Sequence, residues 1–202
     1  MSQETIEQKY LDSAMSYSEY VELLDKLFAE GKTTGNDQSE NMINYAGLNQ
    51  QRMKRITKTF NPSPEFIEAA SKLDRKINWI VLTEGWCGDA AQIIPILGKL
   101  ENHFPNVEMK LLLRDENLDL MDRFLTNGGR SIPMLIAVDA NNYQVLGSWG
   151  PRPTEPTHLL AAYKADPEMT KDEFSKQIQL WYAKDKGRST ENEILELMQK
   201  WQ

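Results

Sequence analysis

Only one cysteine, Cys87, stands in this chain of 202 residues. That scarcity excludes an intrachain disulfide framework and any all-cysteine metal site. Histidine is nearly as scarce: His103 and His158 lie too far apart in sequence to suggest a metal centre with Cys87. No metal and no cofactor are therefore expected. No apolar run approaches the roughly 20 residues that a bilayer-crossing helix needs. The opening "MSQETIEQKYLDSAM" carries acids early and lacks an apolar stretch, unlike a secretory signal. An excess of positive charge is missing too, and the net charge of −7 argues against nucleic acid or an anionic membrane as the main partner. These absences predict a cytoplasmic protein in a reducing compartment. What remains is ordinary for a globular chain: 40 % hydrophobic and 26 % charged residues, in a length that supports one good core and an appendage.

The patterning changes near residue 60. Before it, Tyr20, Leu23, Leu24, Leu27 and Phe28 recur at helical spacing, as do Met42, Tyr45, Leu48, Met53 and Ile56. Pro64 is well placed to start a further helix, "EFIEAASKLDRK". No strand is expected before residue 77. From there "INWIVLT" and "VEMKLLL" read as strands, with a helix from about 88 to 103 between them and a helix "NLDLMDRFLT" after. "PMLIAVD" and "YQVLGSW" read as a hairpin across "ANN". Helices over about 157–165, 171–184 and 190–200 close the chain. A strand–helix–strand unit this short implies parallel strands with a right-handed crossover, to which the hairpin adds two antiparallel strands. The expected fold is α/β, a mixed four-stranded sheet flanked by helices, with extra helices at both termini. The expected organisation is a helical extension over 1–60, a central domain over 61–185 and a C-terminal helix over 186–202.

This order puts Cys87, in "EGWCGDAAQ", at the end of the first strand and the start of a helix. It is either a small buried hydrophobe or a functional thiol. A free thiol is only about 3 % thiolate at pH 7. Backbone N–H groups at a helix start lower cysteine pKa, whereas Asp89, two residues on, opposes by about half to one unit. The balance predicts a partly exposed thiol with a pKa between about 6.5 and 8. Asp89 itself is either a dipole-stabilised helix-start residue or a catalyst. Glu84 could move a proton if partly desolvated, and is otherwise a solvated loop carboxylate. Arg52 and Arg55, in "RMKR", share a helix face at i, i+3.

"WCGDAAQIIPIL" resembles the active-site segment of thioredoxins, Trp-Cys-Gly-Pro-Cys with a helix proline eight residues after the first cysteine. Trp86, Cys87 and Gly88 match, and Pro95 falls at that spacing. "RSIPML" is similar to the family's Arg-Gly-Ile-Pro-Thr segment, whose cis-proline maps onto Pro133. The resemblance covers roughly residues 64 to 150, and the N-terminal helices, with "LNQQRMKRITK", look like those of a bacterial branch of the family. It implies a thioredoxin-like fold, with Cys87 as the reacting thiol and Trp86, Gly88, Asp89, Ile132 and Pro133 as substrate-binding residues. Ile132 would lend its carbonyl and N–H to an extended substrate. Glu84, Arg130, Arg52 and Arg55 are possible accessories; the guanidiniums could hold a carboxylate of a small thiol such as glutathione.

Three departures narrow the expectation. Ala90 stands where the family's resolving cysteine would be, Asp89 replaces the intervening proline, and Val81 replaces the buried aspartate six residues before the active cysteine. An intramolecular disulfide is impossible, so the implied activity is monothiol: exchange through a mixed disulfide with a disulfide-containing protein or a low-molecular-weight thiol. The rival expectation is a non-catalytic thioredoxin-fold module that binds a protein partner. A third, an iron–sulfur carrier, is disfavoured because "CGDA" is not the "CGFS" of monothiol glutaredoxins.

Overall fold

A computed structural model describes residues 4–201. The N-terminal region forms α1 (Gln8–Asp12), α2 (Tyr17–Ala29) and α3 (Glu40–Thr59), followed by α4 (Pro64–Ala70). Strand β1 (Ile77–Thr83) leads into α5 (Ala90–Glu101) and β2 (Val107–Leu113). A 3₁₀ turn and the short α6 (Leu118–Met121) precede β3 (Met134–Asp139) and β4 (Val145–Trp149), and α7 (Thr154–Ala165), α8 (Lys171–Asp185) and α9 (Arg188–Lys200) end the chain.

The sheet order is β2-β1-β3-β4, with β2 parallel to β1 and both remaining pairings antiparallel. Strand β1 has a neighbour on each side, and all of its residues except Asn78 are buried, which is why it reads as an unbroken apolar run. In register, Val81 lies between Leu111 of β2 and Leu135 of β3. Helix α5 makes the crossover, and it is buried on nearly every side because the sheet, α3 and α9 pack around it. Pro95 sits inside α5 and removes one backbone donor without ending the helix. Tyr20 and Leu24 of α2, Met53 and Ile56 of α3, and Ile194 and Met198 of α9 join the sheet residues in one buried cluster. The terminal helices thus complete the core.

Several boundaries differ from those read in the sequence. Helix α4 stops at Ala70, because the chain turns there to enter β1, and does not continue through "SKLDRK". Helix α6 spans only Leu118–Met121, α5 starts at Ala90 with Asp89 as its N-cap, and α7 starts at Thr154. Helix α1 was not foreseen.

The region before residue 77 also contributes β pairing. Met15 exchanges backbone hydrogen bonds with Leu111 of β2, its N–H at 2.9 Å and its carbonyl at 2.7 Å. Thr5 bridges Gln144, and the Val145 N–H donates to the Glu4 carbonyl at 2.8 Å. One short segment therefore covers parts of both outer strands, β2 and β4, whose unpaired backbone groups would otherwise be open to other chains. Arg123 fastens that segment through Glu4 and Glu7 at 2.9 and 2.8 Å.

Candidate functional site

The site forms where β1 gives way to α5. The turn from Glu84 to Asp89 is closed by the Cys87 N–H donating to the Glu84 carbonyl at 3.1 Å. Cys87 then sits one turn ahead of α5, and its sulfur accepts the Ala90 N–H at 3.5 Å. On its other side the thiol donates to the Ile132 carbonyl at 3.3 Å. The Ile132–Pro133 peptide bond is cis, as is Gly150–Pro151. Gly150 has a φ of +132°, and a Cβ there would lie 2.3 Å from the Pro133 carbonyl oxygen, so only glycine lets these two segments meet. Cys87, Ile132 and Pro133 are thereby brought together from elements 45 residues apart.

The thiol is not the partly exposed, acidified group expected from the helix start. Cys87 is 7 % exposed, and burial first and the Asp89 charge second push its pKa up to about 12. The amides of Ala90 and Asp89 and the Arg152 guanidinium pull the other way without prevailing. Desolvation outweighs the helix dipole because the sulfur is shut in under the Ile132 carbonyl, where water cannot solvate a thiolate. At rest Cys87 is a hydrogen-bond donor.

Asp89 stands at the helix start, one of the two places expected for it, but does not cap the helix. It occupies the N-cap position of α5, yet its side chain makes no capping hydrogen bond. Its Oδ2 pairs with Arg152 Nη2 at 2.6 Å, and its Oδ1 accepts from the Tyr182 hydroxyl at 2.9 Å. Burial first, then the Asp89 charge, raises the Tyr182 pKa well above the usual phenol value. Arg152 and Tyr182 were missed in the sequence. The only local sign of Arg152 is its place between two prolines, Pro151 and Pro153, and Tyr182 reads as one more aromatic on a helix.

Glu84 is fully buried, which matches the desolvated alternative for it and not the solvated loop carboxylate. Its Oε1 accepts the Asp115 N–H at 2.9 Å, and among the described residues no donor meets its buried Oε2 in hydrogen-bond geometry. Burial raises its pKa, against the downward pull of the nearby Thr34 hydroxyl and of the Asp115 amide. The loop between α2 and α3 closes over this end of the site, where Thr34 Oγ1 accepts the Gly85 N–H at 2.8 Å. Trp86, half-buried, stacks under the Arg114 guanidinium at 4.9 Å.

The arginines separate. Arg52 Nη1 donates to Asn49 Oδ1 at 2.8 Å, and Asn49 donates to the Gly85 carbonyl at 3.0 Å, so α3 is tied directly to the turn that carries Cys87. Arg55 instead lines a different cavity, with Phe60, Tyr182 and Gly187, so the two do not act as one clamp. Arg130 is exposed and held by Asp122 at 2.6 and 2.8 Å, with its side chain turned to that carboxylate. Beside the turn lies a cavity of about 270 Å³, bounded by α3, α8 and the residues on either side of Cys87, Trp86 and Gly88. Another cavity, between α2 and α3, contains none of these residues. No group of three or more metal-ligating side chains occurs among the described residues.

The arrangement is that of a thiol at a strand–helix junction facing a cis-proline loop. A family model described as Thioredoxin matches residues 35–164. No curated protein matches the chain. Among solved structures, a protein of unknown function from Pseudomonas aeruginosa is similar, at 18 % identity and a TM-score of 0.58, covering 92 % of this chain and 98 % of that one. An HIV epitope-scaffold is similar at 17 % identity and a TM-score of 0.55, with the same coverage. At these identities the likeness carries the fold alone.

Proposed function

The chain belongs to the thioredoxin family, and from that premise we propose that it is a latent monothiol exchange protein acting through Cys87. One observation carries the reading: the sulfur of the single cysteine lies between the first amide of α5 and the Ile132 carbonyl beside Pro133. A mixed disulfide formed at that sulfur lies next to backbone that an extended substrate can pair with. In the forward step Cys87 loses its proton, attacks one sulfur of a disulfide and forms a mixed disulfide, and the other half leaves as a thiolate that takes up a proton. An external thiol then attacks the mixed disulfide, carries the bound group away as a new disulfide and returns Cys87 as a thiol. No second cysteine of the chain takes part. The reading takes the protein to work in the cytoplasm, where reduced thiols supply the second step. Among the described residues, no helix is long and apolar enough to cross a membrane.

The burial of Cys87 makes this activity latent. A thiol pushed up to about 12 supplies very little thiolate at neutral pH, so exchange is slow until the site opens or the pH rises. The same burial favours a second reading, in which the Trp86–Pro133 region binds a protein segment and Cys87 is only core. Intact mass separates the two. Purified protein is incubated with bis(2-hydroxyethyl) disulfide at pH 9 and then with reduced 2-mercaptoethanol. A Cys87 adduct that forms and is then removed supports exchange. A thiol unmodified after hours, in a protein that remains folded, supports the binding module.

A further inference from the structure

The cavity beside Cys87 has a charge pattern that the chain as a whole does not. Three cations, Arg52, Arg152 and Lys171, and two carboxylates, Asp89 and Asp172, line it, giving a local positive excess on a protein of net charge −7. Asp89 is already engaged, by Arg152 and by Tyr182. Arg52 is not: among the described residues it has no carboxylate partner, and its one side-chain hydrogen bond is to the neutral Asn49. Burial first and the neighbouring Arg55 charge second lower its pKa, outweighing the more weakly felt Asp89 charge. Arg152 keeps its Nε buried with no acceptor among the described residues. The Arg52 guanidinium lies 3.7 Å from where a Gly88 side chain would start, one residue beyond the thiol. Gln179 Nε2 lies beside it, 3.5 Å from the same point, so two side-chain donors face Gly88. At about 270 Å³ the cavity suits a small molecule, being just below the usual range for ligand sites.

We propose that this cavity is an anion subsite that selects disulfides carrying a carboxylate a few bonds from sulfur, with Arg52 as its main contact. The proposal rests on the exchange reading above and names its substrate class. A carboxylate there pairs with a half-buried guanidinium through charge-assisted hydrogen bonds. It leaves the sulfur of the same molecule next to Gly88, within reach of Cys87 once the thiol is uncovered. The excess positive charge also draws anions toward this one part of an acidic surface.

Three small disulfides of similar size and different charge test this: 3,3′-dithiodipropionate, bis(2-hydroxyethyl) disulfide and cystamine. Adduct formation at Cys87 is followed by intact mass at pH 9 and low salt. The anionic disulfide should react about tenfold faster than the neutral one, and cystamine slowest. In Arg52→Gln the anionic-to-neutral ratio should fall to near one, and Arg52→Lys should recover part of it. Equal rates for the three, or a ratio unchanged in Arg52→Gln, would overturn the subsite while leaving exchange standing. If no disulfide reacts, the exchange reading fails, and the subsite is decided by 3-(methylthio)propionate, which binds without exchange. A shift of the Gly88 amide resonance on titration, lost in Arg52→Gln, supports an anion subsite. No shift removes it.

Discussion

On the strand side of Cys87, Glu84 is wholly buried, with one oxygen on a backbone amide and the other meeting no donor in hydrogen-bond geometry among the described residues. On the helix side, Asp89 is almost as buried, yet both its oxygens are satisfied, by Arg152 and Tyr182. The difference teaches how one short turn can hold two acids beside a thiol. An ion pair and a hydrogen bond satisfy both oxygens of Asp89, and its charge raises the pKa of the nearby thiol. Glu84 has no ion pair of this kind; the Thr34 hydroxyl and the Asp115 amide offset only part of its burial, which raises its pKa. The thiol between them feels burial from the strand side and negative charge from the helix side. Both keep it protonated.

The largest effect is expected from breaking the compensated side. Asp89→Ala leaves the Arg152 guanidinium, 17 % exposed, without its carboxylate, and should cost about 2–3 kcal/mol by urea unfolding. Asp89→Asn keeps an acceptor for Tyr182 and should cost less. Both should lower the Cys87 pKa, since Asp89 is its second raising influence. A stability loss under 0.5 kcal/mol for Asp89→Ala would mean that the pair is not formed in solution.

An intermediate effect tests the thiol itself. Its folded pKa, about 12, lies above the unfolded value, so its stabilising contribution is complete below about pH 8.5 and is lost as pH rises toward 12. Between pH 7 and 10 the wild type should lose about 1–2 kcal/mol more than Cys87→Ala, the variant correcting for Tyr20 and Tyr182. Parallel stability curves for the two would contradict the burial seen for the sulfur. The smallest effect concerns the strand side. Glu84 has a raised folded pKa, so its contribution is present at low pH and lost as pH rises through that value. Glu84→Gln should therefore gain on the wild type in thermal midpoint from pH 4 to pH 7. A gap that is constant with pH, or that closes, would show Glu84 to be compensated by a group outside this contact set.

Much of the scaffold was legible because it rests on local signals. Apolar runs such as "INWIVLT" mark strands covered on both faces, and the helix–strand alternation sets the crossover that brings residue 87 to a helix start. What determines the state of the thiol was not legible. The Asp89–Tyr182 hydrogen bond spans 93 residues, and the Ser-Ile-Pro segment says nothing of how closely the Ile132 carbonyl covers the sulfur. Whether a carboxylate is solvated, paired or dry depends on which distant segment packs over it. Glu84 and Asp89, five residues apart, look alike in sequence and end in opposite environments for that reason. The α1 helix and the bridges at Thr5 and Met15 were missed because such short pieces are set by the sheet edges they cover.

The central claim, a thiol in an exchange position that the fold keeps protonated, is tested most directly by the pH dependence of Cys87 modification. The rate of adduct formation with bis(2-hydroxyethyl) disulfide is measured from pH 7 to 10, with the disulfide in excess. A thiol whose pKa lies above this range should react about tenfold faster per pH unit, with no plateau, and the adduct should be fully reversed by added thiol. A plateau beginning near pH 7 or 8 would show a ready thiolate and contradict the latent state, whereas no adduct at any of these pH values would contradict exchange at Cys87 altogether.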